Sequence, residues 1–575
     1  MGIEVKDIRE AAAVLQKYKS AKAALEQKII ENEQWFKQRH WDHYTRSDGG
    51  KLPSSGWLFN SILNKHADAM DNYPAPAILP RESSDTETAR TLSDIVPAIL
   101  ERNNYEQVYS DAWWYKLKQG TGVKGVFWDA AEDDICIKKI DILNLFWEPG
   151  ITDIQESDNV FSVELVNQKV LESAYKDLDL TASKPSIDVS KYVLDSYADT
   201  SEKCAVIDWY YKKVNTAGEL VLHYCKFVNN TILYASENDE DYKESGYYHH
   251  GKYPFVFDVL FAEEGTPYGF GYIDVMKDGQ ESIDELDSNI QFNARLLAKP
   301  RYLAKTGSGV NIKELADYTK DFVEVTGDPT TAVFPLPVQS LDASIVDFRE
   351  RKIQELKEIS GNRDFNQGQS VGGVTAASAI SALQEAGNKL SRDSIKSSYR
   401  AFSKEVALIL ELIRQFYDEK RVFRITKPNG KYEFVTFDNE TMQAKSNGEI
   451  MGVGLGEREP IFDIKISAQQ QSPFNQISHN QFIFELYGQG MFNPELADQA
   501  ATAIDLMEFE GKDKLLQKIN EKSQMLQMIQ MQQEQLAQYK MAANGALPVD
   551  ESGMLAQGIP MEQEGAIPND RNNLP

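Results

Sequence analysis

The chain has 575 residues, of which 42% are hydrophobic, and this is enough apolar material for two to four folded regions with their own cores. Lys and Arg number 61 against 88 Asp and Glu, a formal net charge of -27, which excludes a protein that binds nucleic acid mainly by neutralising phosphates. An acidic surface still suits a conduit along which DNA slides, and it equally suits ordinary solubility. The three cysteines, Cys136, Cys204 and Cys225, have no paired short spacing and exclude a disulfide framework or a zinc knuckle.

The first part of the sequence predicts helices, then an extended segment, then a hairpin. Apolar residues at helical spacing place the helices over residues 5–45, 57–71 and about 85–118. Three prolines between Tyr73 and Pro80 require an extended path. Strand patterns over 123–129 and 134–142 predict a hairpin with an acidic tip.

The middle of the chain combines a β-rich block with an amphipathic helix. Strand patterns separated by polar turns over 205–261 predict a compact β-rich module. A helix over about 273–297 follows, and an apolar stripe along it includes Ile283 and Ile290. The opposite face carries five carboxylates: Asp278, Glu281, Asp284, Glu285 and Asp287. We expect the apolar face to pack and the acidic face to meet solvent.

A Gly- and Gln-rich segment, 361–373, runs directly into a very long helical pattern. A helix over 344–359 precedes this segment, and from Val374 apolar residues recur at helical spacing to 419 without an intervening proline. At about 1.5 Å per residue the second helix is a rod of roughly 65 Å. A mobile loop joined to a rigid rod indicates a mechanical part, although a long core helix in a large enzyme explains the rod equally well.

The C-terminal part adds a hairpin, a strand, helices and a polar tail. The turn Pro428-Asn-Gly430 centres a hairpin over 421–437, and a strand follows at 461–466. Two helices are predicted over 475–509 and 513–541. From residue 542 the chain has few large apolar residues, so we expect a disordered tail.

Candidate catalytic and ligand-binding patterns are weak throughout. Neither 120–125 nor 452–456 has the complete Gly pattern, the Lys-Ser/Thr pair and the following helix of a phosphate loop. The histidines include no helical metal-binding pair, and no nucleophile elbow or catalytic cysteine constellation is present. We therefore expect no enzyme activity, no cofactor and no metal. Without a signal-peptide pattern or an apolar run of about 20 residues, we expect a protein made in a reducing cytoplasm and not in a membrane.

The order of these parts resembles the portal proteins of tailed bacteriophages, in particular those of short-tailed phages. The resemblance is carried by a series of segments along residues 5–540: Trp35-Phe36, 60–65, 72–76, the strand pair after 120–122, 144–150, the β block ending in 253–256, 268–271, and 361–378 at the start of the long helix. The resemblance depends on the order of these segments and not on any single motif. It implies an α+β subunit with long helices and β-rich modules that assembles into a ring.

The resemblance also implies a division of the chain. In chain order the parts are an N-terminal wing part (1–162), a first stem region (163–204) expected to hold a helix between 163 and 180, a β-rich clip (205–262), a second stem helix (270–300), a wing (301–470) with a tunnel loop (361–373) and a long helix (374–419), crown helices (471–541) and the disordered tail (542–575).

The function implied is a channel at one capsid vertex through which double-stranded DNA is packaged and ejected. Expected partners are other copies of the chain, usually in a ring of twelve, DNA as a passenger without sequence specificity, the major capsid protein, scaffolding protein, terminase and head-to-tail adaptors. The location would be the virion, and the host cytoplasm during assembly. The DNA-facing loop residues would be Arg363, Asn366, Gln367, Gln369 and Ser370, and the five carboxylates of 278–287 would line the channel.

Two other classes remain open at this stage. A helical scaffold or adaptor of the virion would bind its partners through the Met-rich C-terminal helix. A large acidic cytoplasmic enzyme with an unrecognised site would be a monomer or small oligomer that turns over a small molecule.

Overall fold

A computed structural model describes residues 2–44, 52–175, 203–299, 301–361 with short gaps, 389–426 and 432–470 with short gaps, and only scattered positions beyond 470. The chain divides into two units, 1–471 and 472–575. The first contains the α+β fold described below. In the second, residues 528–537 are helical and carry exposed apolar side chains that include Met528 and Leu536.

The helices of the first unit are α1 (Val5–Phe36), α2 (Trp57–Met70), α3 (Thr86–Arg102), α4 (Tyr105–Gln119), α5 (Gln168–Ala174), α6 (Tyr272–Ala298), α7 (Ile312–Leu315), α8 (Pro329–Ala332), α9 (Ala343–Ser360) and α10 (Lys389–Phe416). The prediction for α6 is confirmed to within one residue at each end, and α9 is extended by one residue at each end. Residues 374–388 of the long helix lie outside the described part of the chain.

The strands are β1 (Asn72–Pro80), β2 (Thr121–Asp129), β3 (Asp134–Ile140), β4 (Leu145–Trp147), β5 (Asn159–Asn167), β6 (Lys203–Val214), β7 (Leu220–Val228), β8 (Thr231–Ala235), β9 (Phe255–Val259), β10 (Phe261–Ala262), β11 (Gly269–Phe270), β12 (Tyr302–Ala304), β13 (Val333–Pro335), β14 (Arg421–Thr426), β15 (Tyr432–Phe437), four two-residue strands β16–β19 between 445 and 458, and β20 (Phe462–Gln470). Both predicted hairpins, β2–β3 and β14–β15, are present and antiparallel.

One predicted helix is divided in two by a pair of asparagines. Asn104 has φ 49°, in the left-handed region that interrupts a helix and that Asn tolerates better than most residues. The Asn103 side chain donates to the carbonyls of Ile99 and Ile135, both at 2.9 Å, and accepts from the Ile137 amide at 2.8 Å. Asn103 thus joins the end of α3 to strand β3, and the single helix expected over 85–118 becomes α3 and α4.

The β-rich block over 205–261 does not form a separate module. Strands β6, β7 and β8 continue an antiparallel five-stranded sheet in the order β4-β5-β6-β7-β8, and β9 joins the sheet β3-β2-β9. Strand β6 pairs with β5 along Asn159–Asn167, so the sheet crosses the expected boundary at 205. A strand pattern predicts strands but does not identify their neighbours, and the pairing could not be read from the sequence.

Helix α1 joins this sheet to the main core. Its first half packs Ile8, Leu15 and Tyr18 against the five-stranded sheet, and Ile29 belongs to the main core. Between the two halves the buried Lys22 ammonium donates to the backbone carbonyls of Ile142 and Leu145.

Helix α10 crosses the main core and contacts the sheet β3-β2-β9 as well as the two-stranded ribbon formed by β1 and β20. Its buried apolar residues include Phe402, Val406, Ile409 and Ile413, at helical spacing. In the ribbon, β1 and β20 pair over nine residues each, from Asn72↔Gln470 to Pro80↔Phe462. The described part of α10 is therefore fixed by packing along its length.

Helix α6 packs against α9. Residues 163–167 belong to β5, and the helix that follows, α5, has only seven residues. Near one end of the pair Arg349 bonds to Asp287, and near the other the Gly279 backbone faces the Leu356 side chain. Since higher numbers on α9 meet lower numbers on α6, the two helices are antiparallel. In the described part of the chain the helix that lies along α6 is thus α9, which follows the β block, while residues 176–180 of the range predicted for a partner helix lie outside the described residues.

Within the described residues, no helix has both the length and the apolar character needed to cross a bilayer.

Candidate functional site

The five carboxylates of α6 do not share one exposed face. Asp278, Glu281 and Glu285 are exposed, whereas Asp284 is fully buried and Asp287 is partly buried. Positions 278, 281 and 285 are spaced three and four residues apart, so they form one surface stripe, and 284 and 287 lie on a neighbouring stripe that packs. The expectation of an acidic exposed face is thus corrected for Asp284, which does not reach solvent in the subunit.

Asp284 anchors α6 to the loop between α1 and α2. Its Oδ1 accepts from the Ser55 amide and the Ser55 hydroxyl, both at 2.9 Å, and from Gln280 Nε2 at 2.8 Å. Its Oδ2 accepts from Trp41 Nε1 at 3.3 Å and lies 3.0 Å from His40 Nε2. Five polar atoms therefore surround one carboxylate, which is how a buried charged group avoids an uncompensated desolvation cost.

Two neighbours hold this arrangement in place. The His40 ring stacks on Trp35 at 3.7 Å between centroids. Gln280 accepts from the Leu58 amide at 3.2 Å and donates to the Ser55 hydroxyl at 2.6 Å, so it links α6 to the first turn of α2. The stacking partner Trp35 is close to His40 in the sequence. The carboxylate partner was missed because its position in the sequence is more than two hundred residues away.

Asp287 serves a different contact. Arg349 of α9 reaches it with Nε and, at 3.2 Å, with Nη2, a two-point pairing that fixes the relative position of the helices. The arginine side chain is 24% exposed and the aspartate 18%, so water has access to the pair. The α6–α9 contact, next to the acidic stripe of α6, is thus held by a half-buried ion pair and by apolar contacts.

The far end of the α6–α9 pair exposes apolar side chains. Phe292 is 43% and Leu297 48% exposed on α6, and Phe348 on α9 is 46% exposed. The strands between the helices, β12 and β13, add Tyr302, Leu303 and Phe334, all more than half exposed. Aromatic and aliphatic groups clustered at such a level of exposure are typical of a surface that another protein covers.

The DNA-facing loop residues predicted from the sequence, Arg363, Asn366, Gln367, Gln369 and Ser370, lie outside the described residues. The structure does describe where the preceding helix ends. Gly361 has φ 69°, a left-handed conformation that ends α9, and its amide donates to the Glu358 carbonyl at 3.1 Å.

Two buried ion pairs that the sequence did not reveal tie the described part of α10 to the body, one through Glu405 and the other through a hydrogen bond to Ser398. Lys124 bonds to Glu405 at 2.6 Å, and the Tyr105 hydroxyl donates to the same carboxylate at 2.6 Å. Burial raises the pKa of Glu405, and the Lys124 ammonium opposes that rise. Tyr105 lies on α4, Lys124 on β2 and Glu405 on α10, so this group of three side chains connects three elements.

The second pair likewise connects three elements, α4, β9 and α10, and lies about three turns along α4 from Tyr105. Lys116 bonds to Asp258 at 2.6 Å and donates to the Ser398 hydroxyl at 2.7 Å. Burial lowers the pKa of Lys116, and Asp258 opposes the change. In the described part of the chain no group of three or more metal-ligating side chains comes together. The charged interior side chains therefore fix α10 and α4, whereas the acidic stripe and the apolar end of α6–α9 are exposed surfaces.

Comparison with known families gives one match that covers most of the chain. A family model described as that of the phage P22-like portal protein matches residues 67–557. A comparison with curated proteins gives no match.

Proposed function

Because this chain belongs to the family of P22-like phage portal proteins, a structural and non-enzymatic kind that acts as a head-to-tail connector, we propose that it forms a ring-shaped channel at one capsid vertex. Double-stranded DNA would be packaged and later ejected through this channel. The family match is the observation that carries the proposal. Membership places the chain with proteins of the virion capsid vertex.

The stem of the ring is best assigned to α6 and α9. This proposal replaces the sequence-based division, in which residues 163–204 and 270–300 supplied the two stem helices. The two helices are antiparallel, and their ends next to 299–342 are largely exposed, as expected for an arm that projects from the body. The assignment is supported by the exposed apolar groups at the arm's far end, where contacts to neighbours or docking proteins are expected.

With this stem, the clip is assigned to the end of the arm. Residues 205–262 were expected to form it, but their strands belong to two sheets that also contain N-terminal strands. We assign those sheets to the wing, and the β12–β13 region between the stem helices to the clip. For the tunnel loop at 361–373, the crown at 471–541 and the disordered tail at 542–575 we keep the sequence-based assignments as proposals, because nearly all of these residues lie outside the described part of the chain.

The acidic stripe gives the proposed channel a physical property. Asp278, Glu281 and Glu285, repeated around a ring, would repel the phosphates of DNA and prevent it from sticking. The repulsion falls off over about 8 Å at physiological salt, so it acts on DNA close to the wall and not at long range. Arg363 and its amide neighbours in the tunnel loop would provide the short contacts.

The proposed partners follow from the proposed role. They are further copies of the chain, with twelve as the expected number, DNA as passenger, the major capsid protein and scaffolding protein during assembly, terminase during packaging and tail adaptors afterwards. The host cytoplasm is the proposed site of assembly.

Electron microscopy of the purified chain, with two-dimensional class averages, tests the proposal. We expect rings of about twelvefold symmetry with a central hole. A uniform population of compact monomers that persists at high protein concentration would contradict the ring. We also propose that a separate terminase, and not this chain, hydrolyses ATP during packaging; ATP hydrolysis by the pure chain would contradict this.

A further inference from the structure

The two outer edges of the β1–β20 ribbon are built differently, and the edge of β1 is closed. Pro74, Pro76 and Pro80 have no amide hydrogen to offer. The Ile78 amide donates to the Ser93 hydroxyl at 2.9 Å, and the same hydroxyl donates back to the Ile78 carbonyl at 3.1 Å. Prolines and side-chain bonds of this kind prevent another strand from pairing with an edge.

The same bonds define the direction of the backbone groups of β20. In an antiparallel ladder a residue directs its amide and its carbonyl to the same side, and residues directly opposite each other behave alike. Ile78 lies opposite Ile464, and its backbone groups are bonded to Ser93 on α3, so those of Ile464 point away from β1. The same holds for Phe462, Ile466 and Ala468, which lie opposite the three prolines.

The edge of β20 is open within the described part of the chain. No described backbone or side-chain group bonds to the outward amides and carbonyls of Phe462, Ile464, Ile466 or Ala468. Next to this edge the side chains of Phe462, Ile464 and Ile466 are half-buried against the core, and Asp463 and Lys465 point to solvent. An extended strand with apolar groups on one face would satisfy both the edge and this apolar row.

We propose that the outer edge of β20 pairs with a strand of the β14–β15 hairpin of a second copy of this chain. The inference rests on the proposed ring. In a ring of more than two copies each contact joins two different surfaces, so β20 cannot pair with another β20 around a closed ring. The strand that pairs with the open edge of β20 must therefore be a different strand, supplied by the neighbouring copy.

The hairpin has the side chains that such a strand needs. Val422, Tyr432 and Phe434 are 63%, 66% and 70% exposed, and they share one face because 422, 434 and 432 belong to the same alternating set. Paired beside β20, this face would extend the row of Phe462, Ile464 and Ile466 over the core. Burying both apolar rows in one contact removes them from water in each copy.

Two substitutions at one position isolate the backbone contact. Ile464→Pro removes the outward amide but no bond to β1, and its partner strand already holds prolines at equivalent positions. Ile464→Ala removes a similar amount of side chain and keeps the amide. We expect electron micrographs of Ile464→Pro to show loss of rings, while Ile464→Ala and the unmodified chain form them.

A second pair of substitutions tests the hairpin. Phe434→Glu places a charge on the exposed face and is expected to abolish rings without unfolding the subunit, since the side chain is 70% exposed. Leu220→Glu is the matched control, because Leu220 is also exposed, at 61%, but lies at the start of β7. Rings that survive Phe434→Glu would overturn the hairpin as the partner.

Hydrogen exchange distinguishes this inference from the proposed function. We expect the amides of Ile464 and Ile466 to exchange about tenfold more slowly in rings than in the dissociated chain. Rings in which these amides exchange as fast as in the monomer would overturn the inference and leave the proposed function in place. Slow exchange in the monomer itself would show that the chain covers its own edge and would overturn it too. A chain that forms no rings would overturn both.

Discussion

The body of the subunit and the α6–α9 arm each contain an ion pair between side chains, but the pair in the body is buried and the pair in the arm is partly exposed to water. In the body the Lys124 and Glu405 side chains are at most 1% exposed, and each is inaccessible to water. In the arm Arg349 and Asp287 are 24% and 18% exposed. A buried pair cannot exchange its partner for water, whereas a partly exposed one can. The comparison indicates a rigid body and an arm whose helix contact responds to salt.

Removing one member of a body pair is expected to have the largest effect. Glu405→Ala leaves the Lys124 ammonium buried without its carboxylate, and we expect the free energy of unfolding to fall by about 3–5 kcal/mol. Chemical denaturation measures it. Glu355→Ala, which removes an ion pair with Lys352 in which the carboxylate is 57% exposed, is the control and should change stability very little. Equal effects of the two substitutions would refute the distinction between body and surface pairs.

Asp284 occupies the junction between the two regions. In Asp284→Ala the Ser55 amide and Trp41 Nε1 lose their acceptor, while Gln280 Nε2 keeps its bond to the Ser55 hydroxyl. An unsatisfied buried donor costs about 1–3 kcal/mol, and both sites are partly buried, so we expect the free energy of unfolding to fall by about 2–4 kcal/mol. Limited proteolysis near Ser55 should become faster. Asp278→Ala, on the exposed stripe of the same helix, should leave both measurements unchanged.

The arm pair is expected to contribute less. Arg349→Ala should lower stability by about 0.5–1 kcal/mol at low salt, and the difference from the unmodified chain should shrink as salt is added. Denaturation midpoints at two salt concentrations measure this. A loss as large as that of Glu405→Ala, independent of salt, would mean that the arm is as rigid as the body.

Substitutions in the acidic stripe should have the smallest effect on stability and the largest effect on how long the rings retain DNA. Replacing Asp278, Glu281 and Glu285 with Lys changes only exposed groups, so the unfolding free energy should stay within about 0.5 kcal/mol. We expect rings of this variant to retain DNA, with retention falling steeply as salt rises. The same three positions changed to Gln provide the control for loss of negative charge alone. Lys-substituted rings that release DNA as readily as unmodified rings would show that the stripe does not face the channel.

Local signals in the sequence predicted most elements but not their neighbours. The periodicity of α6 and the Pro-Asn-Gly sequence between β14 and β15 are signals that act over a few residues, and both elements were located from the sequence. The pairing of α6 with α9, and of β5 with β6 across residues 176–202, depends on contacts that no local pattern records. The acidic face of α6 was predicted by charge alone, and Asp284 was misplaced because its donors come from a loop far earlier in the chain.

The buried Lys22 has a consequence for the heat of folding. Burial lowers the pKa of its ammonium to about 7, against an ordinary value of 10.5, with Glu26 and Asp141 acting in the opposite direction. Between these two values the unfolded chain holds a proton that the folded chain has partly released, so Lys22 makes the protein more stable as the pH rises through this window. Docking of α1 onto the turn before β4 therefore passes a proton to the solvent. The measured enthalpy of unfolding at neutral pH should consequently depend on the ionisation heat of the buffer, and part of that dependence should disappear in Lys22→Met.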